Sequence, residues 1–232
     1  MTAKTRPAWS LAACAVAVFA VFGGRPVAAA PGASLGQFCE AKAQFDALDS
    51  ETPDERALAS YVQGAVTAMT RVEATAPPTL KAPTRTVLTT LQGMRNLKVA
   101  TAAHSNVAYL NARAQLASAV HDKCAYHRVA IRISDVAMTI TPATSPIGKT
   151  SILVTSKGKE PHVVVIAMLR NGVTAEQLLA EPDSFEANAT AIGAVFLAPG
   201  LNDGVALTLK AGRYVTFDPE HLEELHGKFT IR

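Results

Sequence analysis

Residues 129–140 read VAIRISDVAMTI, and at this stretch the sequence changes from a helical to a strand period. Val129, Ile131 and Ile133 alternate with other residues, as in a half-buried strand. After Asp135 the alternation resumes with the opposite phase, and a one-residue bulge within the strand would explain the shift. A helical region is therefore predicted before this stretch and a β region from here to the end of the chain.

Residues 31–127 are predicted to form an antiparallel bundle of about four helices. A start signal lies at 52–55, where Thr52 can cap a helix and Glu55 can complete a capping box. Pro77-Pro78 breaks the chain, and Pro83 is expected to open the next helix. Two apolar stripes at helical spacing support this prediction: Leu58, Val62, Val66, Met69 and Val72, and then Val107, Leu110, Ala114, Ala117, Val120 and Cys124.

Residues 128–232 are predicted to form an all-β Greek-key sandwich of about seven short strands, so the fold class is an α+β multidomain chain. Strands are predicted near 129–133, 136–140, 151–155, 162–169, 205–209, 214–217 and 229–231. Thr174 and Gln177 form a capping box for a short helix, and residues 209–214 are typical of a tyrosine corner. The two halves are expected to communicate little, although the short junction near His127 leaves a packed interface open.

Residues 1–30 are predicted to be a cleavable secretory signal peptide. A positive start and an apolar stretch over 8–22 precede small residues at 28–30. Fifteen helical residues rise about 22 Å, which is short of a ~30 Å hydrocarbon core. The pattern at 11–14 resembles a lipobox, but the apolar stretch continues past Cys14, which argues against lipidation. We expect a secreted or periplasmic protein, and the alanine-rich signal favours a bacterial source.

The charge balance excludes one class of partner. The chain has 22 Lys and Arg against 19 Asp and Glu, a net charge of +3. Lys4, Arg6 and Arg25 account for this excess, and residues 1–30 contain no acidic residue. After signal cleavage no basic stripe would remain, so we expect no binding to nucleic acid or anionic lipid. Because the apolar stretch would leave with the signal, no membrane span is expected in the mature chain.

Two cysteines lie outside the predicted signal, Cys39 and Cys124. In an exported protein they predict a single disulfide. Cys124 lies on the core side of the last helix, where it could meet Cys39 from the first. The alternative is a pair of metal thiolates, but further cysteines or a nearby histidine pair are missing from the sequence.

The sequence contains no recognisable catalytic constellation. It lacks a Gly-x-Ser-x-Gly elbow, a His-Glu-x-x-His motif, a glycine-rich phosphate loop and a Cys-x-x-Cys pair. His121 and Asp122 are adjacent on a predicted helix and therefore point apart. No catalytic residue is predicted, and we do not expect an enzyme.

A second stretch connects the β region to a known family. Residues 155–162 read TSKGKEPH and precede an apolar strand over 163–169. With the later stretches at 193–200 and 209–214, they resemble the cupredoxin-like domains of secreted bacterial proteins. In that family an Asn- or Ser-x-Gly-x-x-Pro-His segment ends a strand, and its histidine is the first copper ligand. The resemblance therefore implies a cupredoxin-like sandwich with His162 at that position.

The resemblance does not carry over the copper chemistry. A type 1 copper site needs two histidines, a cysteine thiolate and a weak axial ligand, usually methionine. The cysteine should follow the strand that begins at Tyr214, but residues 216–219 read TFDP. The second histidine would be His221 or His226, and Lys228-Phe229 replaces the expected methionine region. The family's electron-transfer site is therefore not expected here.

Two functions remain open. The first is an exported, non-catalytic binding or interaction protein with an unknown protein partner and no cofactor, in which His162 is structural. The alternative is a metal-handling protein that binds copper or zinc weakly through His162 and His226 or His221, with Asp218 or Glu220 nearby.

The helical half also resembles a group of domains. Phe38-Cys39, residues 76–80 and Asp122-Lys123-Cys124 are similar to stretches in domains common in secreted actinobacterial proteins. This resemblance is generic and implies no activity.

Overall fold

The computed structural model describes residues 34–49, 58–94, 97–103, 105–181, 184–222 and 224–232. The predicted signal peptide at 1–30, with Cys14, lies outside the described residues. The predicted helix start at 52–55 lies outside them as well.

The N-terminal half is a helical bundle, as predicted. Its helices are α1 (Leu35–Asp49), α2 (Leu58–Thr75), α3 (Pro78–Gly93), α4 (Leu97–Ala103) and α5 (Val107–Lys123). Helix α2 packs between α1 and α3, and α3 also packs on α5. The core of the bundle includes Met69, Val72, Leu116 and Val120, which are 2% exposed or less. Val107 is 67% exposed, so the buried stripe of α5 begins later than predicted.

The prediction that Pro83 opens a helix is wrong. Helix α3 begins at Pro78, and Pro83 lies inside it. Pro78 suits the first helical position because the amide of that residue needs no partner within the helix. Pro83 is buried in the bundle, so packing offsets the backbone hydrogen bond that proline cannot make.

The C-terminal half is a two-sheet sandwich. Its strands are β1 (His127–Ser134), β2 (Ala137–Thr141), β3 (Thr144–Ser145), β4 (Gly148–Ser156), β5 (His162–Leu169), β6 (Ala189–Leu197), β7 (Asn202–Leu209), β8 (Gly212–Phe217) and β9 (His226–Ile231). One sheet has the order β2-β1-β4-β7 and the other β3-β9-β8-β5-β6. Short helices α6 (Ala175–Ala180) and α7 (Phe185–Asn188) lie between β5 and β6. The predicted fold class, a helical bundle followed by a β-sandwich, is confirmed.

The change of phase after Asp135 has a different cause from the one predicted. Ser134 pairs with Ala137 across an antiparallel ladder, and Asp135 and Val136 form a two-residue turn between β1 and β2. The chain therefore reverses here and does not continue through a bulge. Val136 is 79% exposed at the tip of this turn, so it is not a core residue.

Two local motifs occur where the sequence predicted them. The Thr174 hydroxyl accepts a hydrogen bond from the Gln177 amide, and the Gln177 side chain accepts one from the Thr174 amide at 2.8 Å. At the corner before β8, the Tyr214 hydroxyl donates to the carbonyl of Lys210 at 2.8 Å and accepts from its amide at 3.2 Å. The first motif starts α6, and the second fixes the turn between β7 and β8.

The Tyr214→Phe variant is expected to lose about 1–2 kcal/mol of unfolding free energy. The substitution keeps the ring, which stacks on Phe229 with centroids 5.1 Å apart. It removes only the hydroxyl, whose two backbone partners at Lys210 are then left without it. Urea unfolding of the two proteins measures the difference, and a loss below about 0.3 kcal/mol would show that the corner is not stabilising.

The two halves pack against each other along β7, one of the two edge strands of its sheet. Helices α1 and α5 lie on this strand. The carboxylate of Asp46 accepts a hydrogen bond from the Ala206 amide at 2.9 Å and forms a buried ion pair with Lys42. Arg113 Nε donates to Asp203 Oδ2 at 2.8 Å. A packed interface, which the sequence left open, is therefore present and contains buried charges.

A disulfide joins Cys39 in α1 to Cys124 at the end of α5, as predicted. Both cysteines belong to the buried core of the bundle. The bond therefore ties the first helix to the last immediately before β1 begins. In the described part of the chain, no helix is both long and apolar enough to cross a membrane.

Candidate metal site

Three potential metal ligands meet at one end of the sandwich. Strands β5 and β8 are antiparallel neighbours, and the side chain of the first residue of β5 contacts that of the residue that follows β8. These residues are His162 and Asp218, and each is 1% exposed. His221 lies in the loop between β8 and β9. One potential ligand atom from each of the three residues lies within 4.8 Å of the other two.

Asp218 lies at the centre of this group. Its Oδ2 is 2.9 Å from Nδ1 of His162 and 3.4 Å from Nδ1 of His221. Its Oδ1 accepts a hydrogen bond from the Glu220 amide at 3.0 Å, which fixes the carboxylate. One carboxylate oxygen therefore lies next to both imidazoles, the kind of donor set that Zn²⁺ and Cu²⁺ bind.

Backbone hydrogen bonds in the loop after β8 bring His221 to the site. The Asp218 amide donates to the Leu225 carbonyl at 2.9 Å, and the Leu225 amide donates to the His221 carbonyl at 2.8 Å. These bonds fold the loop into tight turns. As a result the rings of His162 and His221 approach edge to face, with centroids 6.0 Å apart.

The cluster contains imidazole nitrogens with unmet hydrogen-bonding capacity. Nδ1 of His221 and Nε2 of His162 are buried, and neither has a hydrogen-bond partner among the described residues. A buried polar atom without a partner costs about 1–3 kcal/mol, so such atoms require an explanation. A cation beside Asp218 would satisfy Nδ1 of His221.

Two further carboxylates surround the imidazoles. Oε2 of Glu160, which is 64% exposed, lies 3.9 Å from Nε2 of His221. Oδ1 of Asp135 lies 3.5 Å from Nε2 of His162. Hydrogen bonds from the Lys159 amide, and then from the Glu160 amide, hold the pKa of Asp135 below its usual value. Asp135 is therefore ionised at neutral pH, and the surroundings of the cluster are negative and suited to a cation.

The predicted ligand His226 lies outside this cluster. It is exposed at the start of β9, and its Nδ1 is 3.2 Å from the Leu222 carbonyl oxygen. Its register partner on β8 is Phe217, so the two side chains lie on the same face of the sheet. The structure thus brings His221, and not His226, beside His162, and a ligand role for any of these histidines stays a prediction.

Sequence reasoning named Asp218 only as a nearby acid and did not name Asp135. Asp218 could have been identified from its position, because it follows β8, where a resemblance to cupredoxin-like domains would place a cysteine. The signal for Asp135 was weaker: a polar turn between two alternating stretches, far along the chain from His162. The donor set of two imidazoles and one carboxylate differs from the thiolate-containing set of type 1 copper.

No protein-family model matches the chain, and no curated protein matches it significantly. Solved structures align with its C-terminal half. Auracyanin from Roseiflexus castenholzii is 20% identical, and the alignment covers 44% of this chain and 96% of that protein, with a TM-score of 0.33. Auracyanin A, a "blue" copper protein from Chloroflexus aurantiacus, is 15% identical over 45% and 99%, with a TM-score of 0.32.

A purple cupredoxin from Nitrosopumilus maritimus is also similar. It is 15% identical, and the alignment covers 46% of this chain and 99% of that protein, with a TM-score of 0.30. These alignments describe a likeness in the fold of the sandwich.

Proposed function

We propose that this protein is an exported, non-catalytic metal-binding protein that holds one Zn²⁺ or Cu²⁺ ion through His162, Asp218 and His221. The observation that carries the proposal is the convergence of these three residues around one carboxylate oxygen, with a buried and unsatisfied Nδ1 on His221. Imidazole and carboxylate donors favour these divalent ions, whereas Cu⁺ prefers soft sulfur ligands.

Burial supports a binding role over a catalytic one. His162 and Asp218 are each 1% exposed, which leaves a substrate little access to an ion held between them. The disulfide between Cys39 and Cys124 is compatible with export, because such bonds persist in oxidising compartments. The pattern of residues 1–30 supports the same location.

Isothermal titration with Zn²⁺ and with Cu²⁺ tests the metal site. We expect one ion per chain. His221→Ala is expected to weaken binding by more than about 100-fold, because loss of a ligand exceeds the 10–100-fold cost of losing an outer-shell partner. His127→Ala is the matched control, since His127 is exposed at the start of β1 and lies outside the cluster.

The variants separate the candidate ligand sets. If His226→Ala abolishes binding and His221→Ala does not, the ligand is the histidine that lies outside the cluster, and the proposed set is wrong. If neither ion binds the unmodified protein, the metal role is rejected. The protein would then be a scaffold for interaction with another protein, in which His162 is structural.

A further inference from the structure

Asp135 anchors the loop that leads into β5. It lies in the turn between β1 and β2, 27 positions before His162 in the sequence. Its Oδ1 accepts hydrogen bonds from the Lys159 amide at 2.9 Å and from the Glu160 amide at 3.2 Å. Two amides that precede His162 are therefore fixed by one carboxylate from another strand pair.

Gly158 shows how closely this loop is fitted to both side chains. A Cβ atom at position 158 would lie 2.0 Å from Oδ1 of Asp135 and 3.0 Å from Nε2 of His162. The carboxylate and the imidazole therefore pack against the same point of the backbone. A side chain at this position would displace Asp135 from the loop.

The imidazole of His162 lies between two carboxylates. Its Nδ1 is 2.9 Å from Asp218 and its Nε2 is 3.5 Å from Asp135. The side chain is fully buried, and Nε2 has no hydrogen-bond partner in the described part of the chain. The Asp135 carboxylate is thus the acceptor available to a proton on Nε2.

We propose that Asp135 is a positioning residue: when an ion takes Nδ1 of His162 in place of the proton donated to Asp218, Asp135 accepts the proton that remains on Nε2 and so fixes the tautomer and the ring. This role rests on the proposed function. Histidine ligands in proteins commonly donate their second ring N–H to a carboxylate, which fixes the tautomer and the orientation of the ring. Here the same carboxylate also fixes the loop that carries the histidine.

Zinc titration and NMR of the full chain with ¹⁵N-labelled histidine test this role. Asp135→Ala is expected to weaken Zn²⁺ binding by about 10–100-fold. Asp135→Asn, which retains a loop acceptor, should have a smaller effect. Gly158→Ala should reproduce the loss without removing the charge. Val136→Ala, in the same turn but 79% exposed, is the matched control and should bind like the unmodified protein.

The exchange rate of the Nε2–H proton of His162 distinguishes a direct contact with Asp135 from a general loosening of the loop. With zinc bound, it should exchange slowly in the unmodified protein and in Val136→Ala, and rapidly in Asp135→Ala. The proposal would be overturned if Asp135→Ala left the exchange rate of the Nε2–H proton unchanged and its zinc affinity lay within about threefold of that of the unmodified protein, since the expected loss of affinity is about 10–100-fold.

Backbone amide exchange separates this proposal from the proposed function. If the unmodified protein binds no zinc, the metal role fails. Faster exchange of the Lys159 and Glu160 amides in metal-free Asp135→Ala then decides alone whether Asp135 holds the loop that carries His162.

Discussion

Replacing Cys39 and Cys124 together by alanine is expected to lower the free energy of unfolding by about 4–5 kcal/mol. The disulfide closes a loop between residues 85 positions apart, and a crosslink of this length removes much chain entropy from the unfolded state. Both side chains are also buried, at 5% and 3% exposure, so truncation adds a small packing loss. Urea unfolding under oxidising conditions measures the difference.

Reduction provides the internal control for this prediction. Dithiothreitol should lower the unfolding free energy of the unmodified protein by a similar amount and leave the double variant unaffected. A loss below about 1.5 kcal/mol would contradict the entropic argument and indicate that the reduced chain keeps its helices together when unfolded.

The Asp46→Ala variant is expected to lose about 3–5 kcal/mol of unfolding free energy. The substitution leaves the ammonium group of Lys42, a residue that is 5% exposed, buried without its carboxylate. It also removes the acceptor of the Ala206 amide on β7. Denaturant unfolding gives the size of the effect, and faster hydrogen exchange at the Ala206 amide would locate it at the interface of the two halves.

A second ion pair on the same helix supplies the matched control. Glu40 in α1 pairs with Lys149 in β4, and their side chains are 50% and 43% exposed. This pair lowers the pKa of Glu40 through its hydrogen bond, but solvent screens the interaction. Glu40→Ala should therefore lower the unfolding free energy by less than about 1 kcal/mol. Equal losses of unfolding free energy in Asp46→Ala and Glu40→Ala would show that burial does not govern the contribution of these ion pairs to stability.

The fold was largely predictable from sequence because its signals are local. The capping box at Thr174, the tyrosine corner at Tyr214 and the switch of period at residue 129 each depend on neighbours in the chain. The disulfide was predictable because only two cysteines follow the predicted signal. The turn at Asp135 was mistaken for a bulge because a reversal and a slip produce the same change of phase.

The site was predictable only in part, because its composition depends on contacts between distant segments. His162 was identified by its motif. The choice between His221 and His226 depends on the backbone bonds that fold the loop after Asp218, and periodicity carries no information on such a loop. The contact of Asp135 with the loop before His162 joins residues of different strand pairs, for which the sequence contains no local signal.

The position of β7 at the edge of its sheet has a consequence for how the chain can be divided. An uncovered edge strand offers free amides and carbonyls to other chains and promotes aggregation. Here α1 and α5 cover that edge, and the Asp46 carboxylate accepts a hydrogen bond from one of its amides, that of Ala206. The bundle thus protects the sandwich against intermolecular strand pairing. We therefore expect that recombination which moved the sandwich without its helices would produce an aggregation-prone protein.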